Sequence, residues 1–466
     1  MTFQTIPVDI VGQSYEHRSR AVSSQVTMNL IPEFVLAGRS QTALMPWPGT
    51  KAFSTGDETL LDRGMHVMSG SLYKVTGQTL YKVDSLGVST SIGTIDGTNH
   101  CIFADDGFTM RIATGNKDYT TDGVSVSAIT DTDLHPGNSV AYINQQMIND
   151  SNSGQFQVSD VGVPGSISPE NFATAESSPD DTIRVYTFNE RLYLFGDTNS
   201  VETWWNSGTG NPPFDRVNGG TMNAGLAAVH SVANTTEYVY FLGADNVVYR
   251  YSSHQLEQVS SSPMSNIFDG MSDVSDAKAY TLTVEGNHFY ILTFATDERT
   301  FVFNEGGKAW FELSSGDLQE YYPMSSTARA YGKRLMARGG AVVQLDVDTY
   351  DNTGDTIVKE RITAPVSDPT GKRILMSRFE VICEVGVGLI TGQGVDPLMM
   401  FQASYDGGES WTNEDWVPMG RMSEGRIKVE WYNMASAYSI MVRVRVSDPV
   451  FVGIMSAAID IQAGGF

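Results

Sequence analysis

The feature that most constrains this chain is a strand–turn–strand unit that keeps returning. Leu72-Tyr-Lys-Val75 is followed by Gly77-Gln and then Leu80-Tyr-Lys-Val83. Arg184–Phe188 turns at Asn189-Glu190 into Arg191–Phe195, and Tyr238–Leu242 turns at Gly243–Asn246 into Val247–Tyr251. His288–Phe294 turns at Thr296–Glu298 into Thr300–Phe303, and Gly306-Gly307 leads on to Trp310-Phe311. Apolar and polar residues alternate over four to seven positions, and Gly, Asn, Asp and Ser cut the runs, which is the pattern of strands and tight turns. Taking Tyr73, Arg111, Tyr142, Tyr193, Tyr240, Tyr290 and Leu335 as equivalent, the steps are 38, 31, 51, 47, 50 and 45 residues. A repeat of this length built from short strands is the signature of a propeller blade. One blade cannot bury both of its faces, so blades stack around a ring. The spacing therefore predicts an all-β chain with a β-propeller of six or seven blades over 56–365. An array of β-sandwiches is the competing architecture.

Helix is nearly absent from the pattern. One short helix is expected after Ser262-Pro263, with an N-cap, a first-turn proline and Gly270 at its end. The stretch from Val163 to Pro179 reads as loop. Beyond Ala364-Pro365 and Asp368–Gly371, five alternating runs (379–385, 399–404, 427–431, 440–446 and 457–461) predict a β-sandwich-like domain over 366–466. Residues 1–55 are left as an N-terminal arm.

Charge narrows the function. The chain has 466 residues, with 30 Lys and Arg against 54 Asp and Glu, a net charge of −24. Tight nucleic-acid binding needs a basic surface to replace the phosphate counterions, so that class is excluded. Most of the charge, a net −20, falls within 51–365. Between Lys117 and Arg184 there is no Lys or Arg and there are ten acids: Asp118, Asp122, Asp131, Asp133, Asp150, Asp160, Glu170, Glu176, Asp180 and Asp181. A solubilising surface is the plainer reading. A face that must let a polyanion slide past is the sharper one. Cys101 and Cys383 are 282 positions apart and form neither a zinc spacing nor a disulfide framework. The first residues carry no basic, apolar leader pattern. No run reaches the length of a membrane span, so no membrane insertion is expected.

Chemical motifs are sparse. Ser404-Tyr-Asp406-Gly-Gly408-Glu-Ser410-Trp411 fits an Asp-box, in which Asp and Ser bind turn amides and Trp packs beneath; its expected role is structural. Asp346–Gly354 hints at a calcium loop, but Tyr350, Asp351 and Ile357 occupy positions 5, 6 and 12, so an acidic hairpin turn is expected instead. No serine-hydrolase elbow, phosphate-binding P-loop or zinc-protease helix is present. Gly386–Gly394 reads as a loop, the seven histidines as surface or core residues, and Trp204-Trp205 and Trp310 as blade packing. The chain is therefore expected to be no enzyme, with no catalytic residue, cofactor or metal. Two carboxylates would suffice for a glycosidase, so a propeller glycosidase or glycan-binding protein stays open as the alternative.

Several segments occur in an order that resembles one family. They are Met28-Asn-Leu-Ile-Pro-Glu33, Pro46-Trp-Pro-Gly49-Thr-Lys-Ala-Phe53, Arg63-Gly-Met65 and Gly70-Ser-Leu-Tyr73. Ala173–Asp180, Leu192–Gly196, Val201–Asn206, Pro213–Arg216 and Phe303–Trp310 follow. The family is the tail-hub or nozzle proteins of short-tailed bacteriophages (podoviruses), also called packaged-DNA stabilisation proteins or tail accessory factors. The resemblance implies a virion tail protein made in the host cytoplasm, one subunit of a homohexameric ring. It implies partners in the portal and adaptor ring and in tailspikes or tail fibres, retention of packaged DNA, and its conduction on ejection. It also implies that the chain ends pack together as a platform with the propeller as a wing. On this reading Asp118, Asp122, Asp131, Asp133, Asp150 and Asp160 are candidate linings of a conduit through which duplex DNA passes without specific binding.

Overall fold

The computed structural model describes all residues except 1–2, 20–22, 35–39, 176, 253–254, 433 and 464–466. Glu176, one of the ten acids above, lies outside the described residues. Five four-stranded antiparallel sheets succeed one another over 62–94, 102–128, 140–174, 182–222 and 233–258, and four antiparallel strands over 278–313 form a sixth blade within a larger sheet. A seventh takes three strands from Met324–Ala330, Lys333–Arg338 and Ala341–Asp346, and its fourth from Gly49–Ser54 near the start of the chain. Each sheet packs on the next through its own apolar cluster. The last of these joins Met65, Leu72 and Val83 of the first sheet to Leu335, Ala337 and Val342 of the seventh. Among the described residues the ring is thus closed, with seven blades.

Six of the seven positions taken as equivalent lie on the second strand of their blades. Tyr142 does not: it lies on the first strand of blade three, Val140–Ile143, and the second strand is Gln146–Asp150. Asn144 and Gln145, both at positive φ, make the turn between them. Asn189 and Glu190 turn in the same way in blade four, as the primed two-residue hairpin requires. The stretch read as loop after Val163 contains one short strand, Phe172–Thr174, the outer strand of blade three. The helix runs over Ser262–Asp269. Its N-cap is Ser261 rather than Ser262, and no side-chain hydrogen bond caps it. Met264 and Phe268 tether it to the core between blades five and six.

The remaining chain forms a sandwich of two sheets around one core that includes Phe379, Phe401, Trp431, Val442 and Ile459. In the first sheet, Ile454–Ala463 pairs with both Gln4–Val8 and Ile374–Cys383, and touches the hairpin Leu30–Phe34 and Thr42–Pro46. In the second, Ser24–Met28 lies beside Lys359–Ile362, which lies beside Ser439–Val446. The N-terminal arm is therefore part of the sandwich. Lys359–Ile362 is already a sandwich strand and Gly49–Ser54 a propeller strand, so the chain crosses between the two units on each side of the ring. Ser24–Met28 also meets the outer strand of blade six, Met28 opposite Glu312. One hydrogen-bonded sheet thus runs from propeller to sandwich.

Candidate functional site

The junction of arm, sandwich and propeller is held by buried polar groups, each with a partner. Asn29 is fully buried at φ 55. Its Nδ2 donates to Ser314 Oγ (3.0 Å) and the Val358 carbonyl (2.8 Å), and its Oδ1 accepts from the Ser314 amide (3.0 Å). Trp47, with no exposed surface, donates from Nε1 to the Tyr322 hydroxyl at 3.2 Å. Arg361 is buried on Lys359–Ile362 and reaches into the arm. It donates to the Ile10 carbonyl (2.7 Å), Thr27 Oγ1 (3.0 Å) and Gln25 Oε1 (2.6 Å). Burial lowers its guanidinium pKa to about 10. Each donor is satisfied, so the cost of burying the charge is offset locally. The segments 28–33 and 46–53 sit at this seam, which explains why their residue types matter: they join the two units.

The six candidate lining acids have separate environments. Asp118 is buried in blade two, and its Oδ2 accepts from Arg111 Nη2 at 2.6 Å. Asp150 is buried in blade three and accepts from the amides of Asn138 (2.9 Å) and Ser139 (2.7 Å). Burial raises the Asp150 pKa to about 6. Neither carboxylate presents its charge to solvent in this chain, so these two are corrected from lining to core. Asp122 is exposed and caps the turn amides of Val124 and Ser125. Asp131, Asp133 and Asp160 are half-buried in connections. Asp131 accepts from the Asp133 and Ile167 amides, and Asp160 from Ser166, Ser168 and Asn171. The base-free window thus supplies blade cores and turn caps as well as surface charge.

The bore of the propeller is obstructed. His100 precedes the first strand of blade two, and His230 lies in the short 3-10 turn Val229–Ser231 before blade five. Their rings meet edge to face, with centroids 4.8 Å apart. Val229 packs against the cluster between blades two and three. The turn before blade five therefore reaches across the axis to the opposite wall. Neither histidine was singled out by the sequence; the only available signal is that each sits just before the first strand of a blade.

The other motifs act as folding devices. In the Asp-box, Asp406 accepts from the Ser410 amide at 3.0 Å, and Ser404 Oγ from the Gly408 amide at 2.8 Å. Gly407 and Gly408 are at positive φ, and Arg443 stacks over Trp411 at 4.0 Å. Asp346 caps Asp348 and Thr349 in a tight turn. Among the described residues no group of three or more His, Cys, Asp or Glu is placed to hold a metal. Trp204 packs on Phe156 and Trp310 on Phe303, whereas Trp205 is partly exposed. No helix among the described residues is long and apolar enough to cross a membrane.

Both units match one family. Residues 4–346 match "Bacteriophage P22 Gp10, beta-propeller" and residues 360–462 match "Bacteriophage P22 Gp10, beta-sandwich". The chain belongs to the bacteriophage P22 Gp10 family. It is accordingly a structural tail protein of a short-tailed phage, in a family of tail and DNA-stabilisation proteins. No curated protein matches. Among solved structures, BamB from Moraxella catarrhalis is 9% identical, with 74% of this chain and 97% of that chain covered and a TM-score of 0.41. The WD40 β-propeller domain of Doa1 is 11% identical, with 64% and 96% covered and a TM-score of 0.41. The computationally designed Ika8 protein is 9% identical, with 72% and 100% covered and a TM-score of 0.39. At these scores nothing is inferred from them. The two Gp10 matches meet between residues 346 and 360, where the chain leaves blade seven for the sandwich.

Proposed function

We propose that this Gp10-family chain is one subunit of a hexameric tail-hub or nozzle tube below the portal and its adaptor ring. The tube carries tailspikes or fibres, retains packaged DNA and conducts it on ejection. The observation that carries this reading is the continuous sheet that joins blade six to the sandwich through Ser24–Met28, while the two ends of the chain pair with each other in the sandwich's other sheet. A ring under the pressure of packaged DNA needs subunits whose platform and wing do not hinge. A shared sheet with a satisfied polar seam supplies that stiffness.

A duplex, whose major groove alone is about 12 Å wide, does not fit a bore crossed by His100 and His230. The conduit therefore forms between copies of the chain. Surface acids on its wall deny the phosphates a counter-charge and let the duplex slide. The obstructed bore also disfavours a propeller glycosidase, which needs two carboxylates facing one open cleft.

Electron microscopy of the purified chain mixed with the portal–adaptor assembly tests the proposal. Six copies around a central channel support it. A chain that stays monomeric beside the adaptor, or that turns over a glycan, overturns it.

A further inference from the structure

Arg184 raises a question that the tail function does not answer. It lies on Thr182–Phe188, the first strand of blade four, and is only 7% exposed. Its Nε and Nη1 are buried without a hydrogen-bond partner among the described residues. The guanidinium lies over the Tyr186 ring at 5.7 Å. The Tyr186 hydroxyl is turned away, donating to Asn234 Oδ1 at 2.5 Å. The Nδ1 atoms of His100 and His230 are buried without partners too. The three side chains come from the starts of blades two, four and five, Lys278 begins the first strand of blade six, and both cations lie near enough to the paired imidazoles to act on their titration. Burial and the neighbouring cations hold both imidazoles neutral, well below the usual histidine range. A neutral imidazole still has one N–H to donate.

The nearby carboxylates are occupied elsewhere or lie on the Lys278 side. Asp150 accepts from Asn138 and Ser139. Asp62 accepts from the hydroxyls of Ser325 and Ser326, both at 2.8 Å. Asp276 accepts from the Thr296 amide at 2.6 Å and keeps one buried oxygen free. A cavity of about 400 Å³ is lined by Asp62, Lys278, Tyr321 and Ser325, on the Lys278 side.

A buried guanidinium without an acceptor is among the costliest groups a fold can hold, and such groups are normally paired. Arginine presents a planar fork of donors suited to a tetrahedral or planar oxyanion. We propose that the obstructed end of the propeller bore binds a small oxyanion of the phosphate class, gripped by Arg184 with N–H donation from His100 and His230. The anion cross-links blades two, four and five through the axis, so its binding stabilises the ring.

The test is thermal unfolding of the full chain in a phosphate titration, with chloride replaced so that ionic strength is constant. A ligand that binds only the folded state raises Tm steadily with its concentration. The wild type is expected to show that rise, and Arg184→Gln to lose it. No rise in the wild type, or the same rise in Arg184→Gln, overturns the proposal. If Arg184→Gln does not fold, a high-resolution map of the wild type in phosphate decides. Tetrahedral density within hydrogen-bond distance of Arg184 supports the site; water alone overturns it.

Discussion

At the scale of single residues, buried charge is where this protein is most exposed to change. Lys359 is 1% exposed, and its Nζ donates to the Asp448 carbonyl at 3.0 Å. Burial lowers its pKa to about 7. Between about pH 7 and the ordinary lysine value, the unfolded chain holds a proton that the folded chain does not. Stability therefore rises with pH through that window, by on the order of a few kcal/mol, and is flat below it. Chemical denaturation at pH 7 and pH 9.5 should show this rise in the wild type and its loss in Lys359→Met. Asp118 offers a second measurement. Asp118→Ala leaves Arg111 buried without its counter-charge, at a cost of about 3–5 kcal/mol. A urea titration showing a loss below about 1 kcal/mol would mean that the pair is dispensable. This is also where the sequence misled. Ten acids without a base nearby read as one charged face, but the list cannot say that Arg111, seven positions before Asp118, turns back onto it across a hairpin.

At the scale of elements, the closing strand Gly49–Ser54 decides whether the ring holds. A Cβ on Gly49 would come within 2.2 Å of the Asp351 carbonyl oxygen and 2.8 Å of the Thr349 carbonyl oxygen. Gly49→Ala must push this strand off its partners, at a cost of roughly 2–3 kcal/mol, in line with other overpacked sites. Gly425→Ala, where the added atom meets nothing within 4 Å, is the control and should stay within about 0.5 kcal/mol. Differential scanning calorimetry of the two variants separates them. Most blade strands were legible from alternation and turn residues, because a hairpin is a local object. Blade three was misplaced by one strand because its first two strands, Val140–Ile143 and Gln146–Asp150, are joined by only two residues, Asn144 and Gln145, and read as one run. The seventh blade was harder still. Its outer strand lies about 290 residues before the strand it pairs with, and nothing in 49–54 names its partner.

At the scale of the whole molecule, charge sets how copies meet one another and DNA. A net charge of −24 makes identical chains repel at low salt. Ring formation should therefore strengthen as sodium chloride is raised from about 0.02 to 0.2 M, where the screening length falls to about 8 Å or less. Light scattering at the two salts, with the adaptor present, reads this out; weaker assembly at the higher salt would point to a charge-paired interface instead. The purified chain should also leave linear duplex DNA unshifted in a gel at low salt, where non-specific binding is strongest. A retarded band there would contradict a conduit that repels its cargo.

By itself the sequence determined the all-β class, the blade-and-sandwich order and the resemblance to tail-hub proteins. Each rests on patterns that repeat locally or persist along the chain. Only the tertiary structure decided that seven blades close, that the described strands before residue 47 belong to the sandwich, that Asp118 and Asp150 are core residues, and that His100 meets His230. These are contacts between residues from seven to hundreds of positions apart. Their partners are chosen by the closure of the ring as a whole, which no single stretch of sequence encodes.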